Sequence, residues 1–349
     1  PRRSEPMSSS FSRVAVVVNG NAKSVTADVI STLDQILEGG DLFVSRRIEE
    51  APEIAQTLID RGYDTVLTGG GDGTFTVMVT EVVRAARRLG KPTPRFGLLK
   101  LGTGNALAWV VGASPVAGES LSADIERLKS DAGCREIRLV DVEGYLTPFA
   151  GVGADAQVLA DYNATKDWLR RTPLKPVAAG LFGYAVAAVT RSLPSYLLNE
   201  MSEIRVVNAG GDAYRIGLDG SVDPEPIPTG AVLYEGKARL CALSTIPFYG
   251  FGFRMFPFAE ARHDRMHLRI STIGSLSFVT NLVPIWQGTY SHPGELKDFL
   301  VERVSIDCTP ETDFQIGGDP QGKRSHIEAA ITPEPVRLVD YYARTEAAE

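Results

Sequence analysis

Apolar and polar positions follow two regimes along the chain. Val14–Val18 is an unbroken β-branched run ending at Asn19-Gly20, the pattern of a strand buried on both faces of a parallel sheet. Ala27 to Leu37 carries apolar residues at helical spacing, and Leu42–Val44 predicts a second strand. Pro52 to Leu58 opens a second helix, with proline in its first turn. Thr65–Leu67 predicts a third strand, Thr74 to Leu89 a third helix and Phe96–Leu99 a fourth strand. Strand and helix thus alternate through the first hundred residues, the signature of a doubly wound three-layer α/β domain.

Beyond about residue 135 the period changes. Short runs recur at Glu136–Val142, Thr147–Gly151, Ile204–Val207, Ala231–Leu233, Ala238–Leu243, Met266–Ile270, Val301–Ile306 and Ile327–Ile331. Pro224, Pro226, Pro228, Gly230, Pro247, Gly250, Gly252 and Pro257 punctuate them, which predicts an antiparallel β-sandwich. Two helical patterns interrupt it, Asp161–Arg171 and Val177–Leu193. The expected organisation is a tail over 1–12, an α/β domain over 13–140, a β-rich domain over 141–331, and a segment over 332–349 that returns to the first domain.

Composition narrows the function. At about 150 residues per domain, 349 residues make two domains. Lys plus Arg is 36 against 43 Asp plus Glu, a net charge of −7, which disfavours nucleic-acid wrapping. Cys134, Cys241 and Cys308 are too far apart for metal-ligand spacing, and an odd number cannot close a disulfide framework, so a cytoplasmic location is expected. The longest apolar run, Val177–Val189, falls short of the about 20 residues that a spanning helix needs. Residues 1–12 lack the apolar core of a signal peptide.

The stretch richest in chemistry is Thr65-Val66-Leu67-Thr68-Gly69-Gly70-Gly71-Asp72-Gly73-Thr74. A strand runs into glycines and then into a helix, where glycines permit positive φ and let backbone amides converge on a phosphate. Asp72 beside phosphates makes sense if it holds a divalent cation or handles a proton; the plain alternative is a helix cap. Lys100-Leu101-Gly102-Thr103-Gly104-Asn105 repeats the arrangement after the fourth strand, and Asn19 follows the first. Carboxyl ends of strands in such sheets face one crevice, so all three turns converge there. Asn19 and Asn105 read equally as nucleotide contacts or as turn and cap residues.

Competing motifs fail. No G-x-x-x-x-G-K-[ST] occurs, and Leu107 stands where a dinucleotide fingerprint after Gly102 needs a small residue. Gly151-Val152-Gly153-Ala154-Asp155-Ala156 fits that fingerprint but lies in the β-rich half. His263 and His267 lack the glutamate of a zinc motif and read as a surface pair.

With these residues in place, the chain resembles the diacylglycerol kinase catalytic-domain family, which includes bacterial lipid kinases and sphingosine kinases. Gly70-Gly71-Asp72-Gly73-Thr74 resembles its nucleotide motif and Gly102-Thr103-Gly104-Asn105 its second. Gly151–Ala156, Gly183-Tyr184, Pro247-Phe248-Tyr249-Gly250 and Pro257-Phe258-Ala259 follow the family order. The resemblance implies an ATP-binding first domain and a lipid-binding second domain. It also implies Mg²⁺-assisted transfer of the γ-phosphate to a lipid hydroxyl in the cleft between them. Implied nucleotide contacts are Asn19, Gly70, Gly71, Gly73, Thr74, Gly102, Thr103, Gly104 and Asn105, with Asp72 as metal ligand and catalytic residue.

Departures from the family pattern are Thr76 and Val77 for its Asn-Glu, Ala106 for an Asp, and Gly317-Gly318-Asp319 for its Asp-Gly-Glu. Gly317 cannot act as the family's base; Asp319 stands in the same turn as its substitute. The alternative is a catalytically impaired relative that binds nucleotide or lipid. The implied partner is a lipid at a membrane surface, with peripheral association, no nucleic acid, and a homodimer left open. Lys166–Lys175 reads either as an interfacial segment or as a solvated helix end. Phe248, Tyr249, Phe251, Phe253, Phe256 and Phe258 read either as an acyl pocket or as core. Arg84, Arg87, Arg88 and Lys91 read as a solvated helix face.

Overall fold

A computed structural model describes residues 13–22, 25–36, 41–101, 105–113, 133–153, 201–250 and 252–341. The first sheet has six strands: β1 (Val14–Asn19), β2 (Leu42–Ser45), β3 (Thr65–Gly70), β4 (Arg95–Lys100), β5 (Cys134–Ile137) and β17 (Val336–Val339). Their spatial order is β2-β1-β3-β4-β17-β5. The strands from β2 to β17 run parallel, and β5 closes the edge antiparallel to β17. Helices α1 (Ala27–Ile36), α2 (Ala51–Asp60), α3 (Asp72–Leu89) and α4 (Ala106–Val111) connect the strands. β1 and β3 are buried almost throughout, as strands covered on both faces must be. α2 begins with Pro52 in its first turn, where no N–H is missed, and α3 ends on Gly90 at φ 60°.

The second sheet joins eleven strands. They are β6 (Val140–Val142), β7 (Tyr145–Thr147), β8 (Phe149–Gly153), β9 (Ser202–Asn208), β10 (Tyr214–Arg215), β11 (Val232–Ala238), β12 (Leu240–Ser244), β13 (Met266–Ser271), β14 (Leu296–Val301), β15 (Arg303–Ile316) and β16 (Asp319–Ile331). The ladder forks at β15. Its first half pairs with β9 and its last residues pair with β8, with register shifts between them. The two leaves that result enclose one core, which takes Ile204, Val206 and Leu233 from one side and Leu243, Leu268 and Phe299 from the other. A sandwich is therefore present, but it is one continuous ladder folded over rather than two separate sheets.

Three elements depart from the sequence reading. Glu136–Val142 is divided between the sheets, because the chain crosses from one domain to the other at Arg138-Leu139. The return crossing runs beside it. Thr332 N–H donates to Leu139 O (2.8 Å), and Leu139 N–H donates to the Thr332 hydroxyl (3.0 Å). β15 and β16 form a long hairpin turned by Gly317 and Gly318, both left-handed (φ 58° and 87°), as a two-residue turn demands. Short helices α5 (Ser275–Thr280) and α6 (Leu282–Gln287), absent from the sequence reading, precede β14. The helical patterns at 161–171 and 177–193, and the 166–175 segment, lie outside the described residues.

The seam between domains is packed. Ile246, Tyr249, Met255, Phe256 and Ala259 of the second domain join the core of the first. Among the described residues the aromatic stretch is thus mainly interdomain core, and of these only Tyr249 also reaches the cleft described next; Phe251 lies outside the described residues. Arg84, read as solvated, donates to Gly144 O of the β6–β7 turn (2.6 Å) and ties α3 to the second domain.

Candidate functional site

A cavity of about 410 Å³ opens at the carboxyl ends of β1, β2 and β3 and is closed on its far side by the β15–β16 turn. Its floor is the N-terminus of α3. Gly69, Gly70 and Gly73 have ordinary negative φ; they are glycines because their surroundings leave no room. A Cβ at Gly69 would lie 2.7 Å from Val18 Cγ1 and 2.8 Å from Leu101 Cδ1. One at Gly70 would overlap the Thr74 side chain, and one at Gly73 would overlap the Asp319 carboxylate. Positive φ, expected at this turn, is not used; close approach is what demands glycine.

Asp72 is the first residue of α3 and is 8% exposed. Its carboxylate does not cap its own helix. It accepts N–H bonds from Ala106 (2.8 Å, Oδ2) and Leu107 (3.2 Å, Oδ1), and so caps α4. Burial pushes its carboxyl up to about 6; these two bonds oppose the shift and the charge of Asp319 adds to it. Asp319, at the head of β16, is exposed as a residue, and partial desolvation of its carboxyl in the cleft raises it from its ordinary value. Two carboxyl groups from different domains therefore face the same cleft, both raised from their ordinary values.

Asn19 Nδ2 donates to the Thr74 hydroxyl (3.3 Å), and Asn19 Oδ1 accepts from Asn21 N–H (3.0 Å). Asn19, Gly71, Asp72, Gly73, Thr74 and Asp319 line the cavity together. Asn105 is buried in left-handed geometry (φ 48°) at the N-cap of α4, and the cap bonds to that helix come from Asp72 instead. Gly70 lies just behind the Thr74 side chain. Gly102, Thr103 and Gly104 lie outside the described residues; Leu101, before them, lines the cavity.

The structure also explains the departures around Asp319. Gly317 has φ 58°, and a Cβ there would lie 2.6 Å from Thr76 Oγ1 and 3.1 Å from Thr147 Oγ1. Thr76 and Thr147 share a hydrogen bond across the seam (3.1 Å). The turn thus docks on α3 with no space for an acidic side chain at 317, and the hairpin carries its acid two positions later.

Sequence reasoning missed Ser45, Arg46 and Arg47, which line the cavity from the end of β2. Glu50 holds this loop: its carboxylate accepts from the N–H groups of Arg46 (2.8 Å) and Arg47 (3.3 Å) and pairs with Arg47 Nε (3.2 Å). Arg46 makes no ion pair among the described residues. The signal was positional: β2 neighbours β1, so its carboxyl end shares the crevice with Asn19. Phe149 and Tyr249, with ring centroids 4.7 Å apart, form the apolar wall on the second-domain side.

Among the described residues no three His, Cys, Asp or Glu side chains gather to hold a metal. Mg²⁺ needs fewer, because it is commonly bound by one or two carboxylates with substrate phosphates and water filling the rest. Asp72 and Asp319 fit that role by their donor chemistry. The charge of Asp319, which adds to the upward shift of the Asp72 carboxyl, is what a cation would relieve.

Two comparisons identify the frame in which this site sits. The diacylglycerol kinase catalytic domain model matches residues 13–136. A diacylglycerol kinase from Bacillus anthracis str. Sterne matches by structure at 12% identity and TM-score 0.61, over 96% of this chain and 98% of that one. A second solved structure from the same organism matches at 12% identity and TM-score 0.64, over 95% and 98%. No curated protein matches the sequence significantly. Residues 13–136 therefore match the diacylglycerol kinase catalytic domain model, and the chain as a whole has the two-domain fold of the structures that it matches.

Proposed function

We propose that this protein is an ATP-dependent lipid kinase whose reaction runs in the cleft between its domains. The observation that carries the reading is the meeting of Gly73 and Asp319. A carboxylate of the second domain lies directly over the first turn of α3, beside Asp72 and at the mouth of a glycine-lined cavity. The amides opening α3, with Asn19 and Thr74, form the cradle for the polyphosphate, and Arg46 stands on its rim as a counter-charge. Asp72 would hold Mg²⁺, and the ion would supply charge neutralisation for the transferring phosphoryl group. Asp319, raised by partial desolvation, accepts the proton of the attacking hydroxyl. Phe149 and Tyr249 offer an apolar surface to the lipid.

The test is incubation with radiolabelled ATP and mixed lipid micelles. Labelled lipid is expected from the parent chain. Asp72→Ala should abolish it, and Asp319→Asn should slow it by about 10²–10⁴, the usual worth of a base. Unchanged turnover in Asp319→Asn refutes the assignment of the base. The second reading, a nucleotide-binding relative without turnover, draws on the Asp72 carboxylate being engaged by α4. Tight ATP binding with no labelled product supports it.

A further inference from the structure

A second cavity, about 390 Å³, opens where the chain crosses between the domains. It shares no described residue with the catalytic cleft and lies at β5, the opposite edge of the first sheet from β2. Its walls carry Arg135 from β5, Arg138 from the crossing, and Arg262, His263 and Arg265 from the turn ahead of β13. Only Glu136 and Glu260 among its described walls are acidic. Asp264 and Glu302, which are not wall residues, pair with Arg262 and Arg265, so the guanidinium groups here are partly balanced and held in place by acids.

The existing partners leave donors to spare. Arg135 pairs with Glu260 through NH2 alone. Arg138 gives NH1 to Thr332 O (2.8 Å) and to Pro333 O. Both acceptors are uncharged carbonyls, so its charge is held in place without an ion pair among the described residues. Arg262 grips Asp264 through Nε (3.0 Å) and NH2 (3.1 Å), leaving NH1, and Arg265 reaches Asp264 (2.8 Å) and Glu302 (4.0 Å) through NH1, leaving NH2. Arg262 is braced over the Tyr214 ring at 4.5 Å, and Arg265 is anchored by Asp212 O at 3.1 Å. Forked donors pre-positioned in this way match the oxygens of a phosphate group.

We propose that this cavity binds a phosphomonoester group, gripped by guanidinium groups of both domains. An anion seated there bridges β5 to the turn ahead of β13 and so braces the crossing from the side remote from the catalytic cleft. The inference stands on these residues alone and does not depend on the kinase reading.

The full-length chain is titrated with glycerol 3-phosphate and, separately, sedimented with phosphatidylcholine vesicles with and without phosphatidate. The variants are Arg135→Gln/Arg262→Gln and, because the first removes an ion pair across the seam, His263→Glu, which adds a negative charge at an exposed position. Each is checked for parental circular dichroism. Saturable binding of glycerol 3-phosphate weakened at least tenfold in both variants supports a soluble phosphomonoester as the ligand. Loss confined to phosphatidate vesicles supports a lipid headgroup. If both variants bind both probes as the parent does, or the parent binds neither, the proposal is overturned.

Discussion

At Gly317 a single missing side chain links the departure from the family pattern to packing. The position has φ 58° and stands 2.6 Å, measured from a Cβ, from Thr76 Oγ1. Asp is among the residues that tolerate left-handed backbone, so conformation alone would not exclude it; the crowding against α3 does. Gly317→Asp is expected to lower stability by about 1–3 kcal/mol, read from the denaturant midpoint. Adding Thr76→Ala should recover part of the loss, because it removes the hydroxyl in the way. No loss in the single variant would mean that the turn does not dock as described. The same logic separates the glycines of the α3 turn from ordinary turn glycines: they are there for contact, not for φ.

Helix α3 carries both the glycine turn that floors the cleft and the seam. Thr80, one turn beyond Thr76, donates its hydroxyl proton to Thr76 O (2.7 Å) and accepts from Leu146 N–H of β7 (2.9 Å). Both ends are buried, so Thr80→Val, similar in shape, strands an amide without opening a cavity. The expected cost is about 1–3 kcal/mol, with faster hydrogen exchange at Leu146 as its local signature. An unchanged exchange rate at Leu146 would show that the bond does not hold the seam. Through these contacts, and through Arg84 on Gly144, one helix fixes the second domain over its own N-terminus. That is why Asp319 arrives above Gly73.

Across the whole molecule, stability should follow pH through a buried network in the second domain. His267, read from sequence as half of a surface pair, is fully buried; its Nε2 meets Asp298 Oδ1 at 2.9 Å. Arg269 grips the same carboxylate through Nε (2.7 Å) and NH2 (2.9 Å), and the rings of Phe256 and Phe258 pack on the imidazole. Burial holds His267 below its ordinary 6.5, despite the opposing pull of Asp298. The unfolded chain therefore takes up that proton first, and folding stability falls as pH drops below about 6.5. Asp298 is burdened by burial, but Arg269 and His267 together hold it far below the usual carboxylate range. Its contribution is complete above about 3.8 and is lost only at lower pH. Asp72, raised to about 6, acts with the opposite sign between about 4 and 6, and Asp319, also raised, acts in the same sense as Asp72, so the diagnostic is a difference. Melting temperature followed from pH 7 to 5 should decline less in His267→Gln than in the parent. Equal slopes would refute the buried neutral imidazole.

Local chemistry was enough to read the α/β half. Four apolar strands alternating with amphipathic helices, and a strand that runs through Gly69–Gly71 into α3, are written in neighbouring residues, because strand period and helix period are short-range properties. The crevice with Asn19, Asp72 and Thr74 followed from parallel topology, and the end of β2 was legible by the same rule though not read. Long-range contacts alone set the rest. They insert β17 between β4 and β5, divide the run 136–142 between two sheets, bury His267, and turn Asp72 toward α4. They also bring Asp319 onto Gly73, although most of the chain separates the two. No periodicity records such pairings: they depend on which surfaces remain to be covered once the elements have formed.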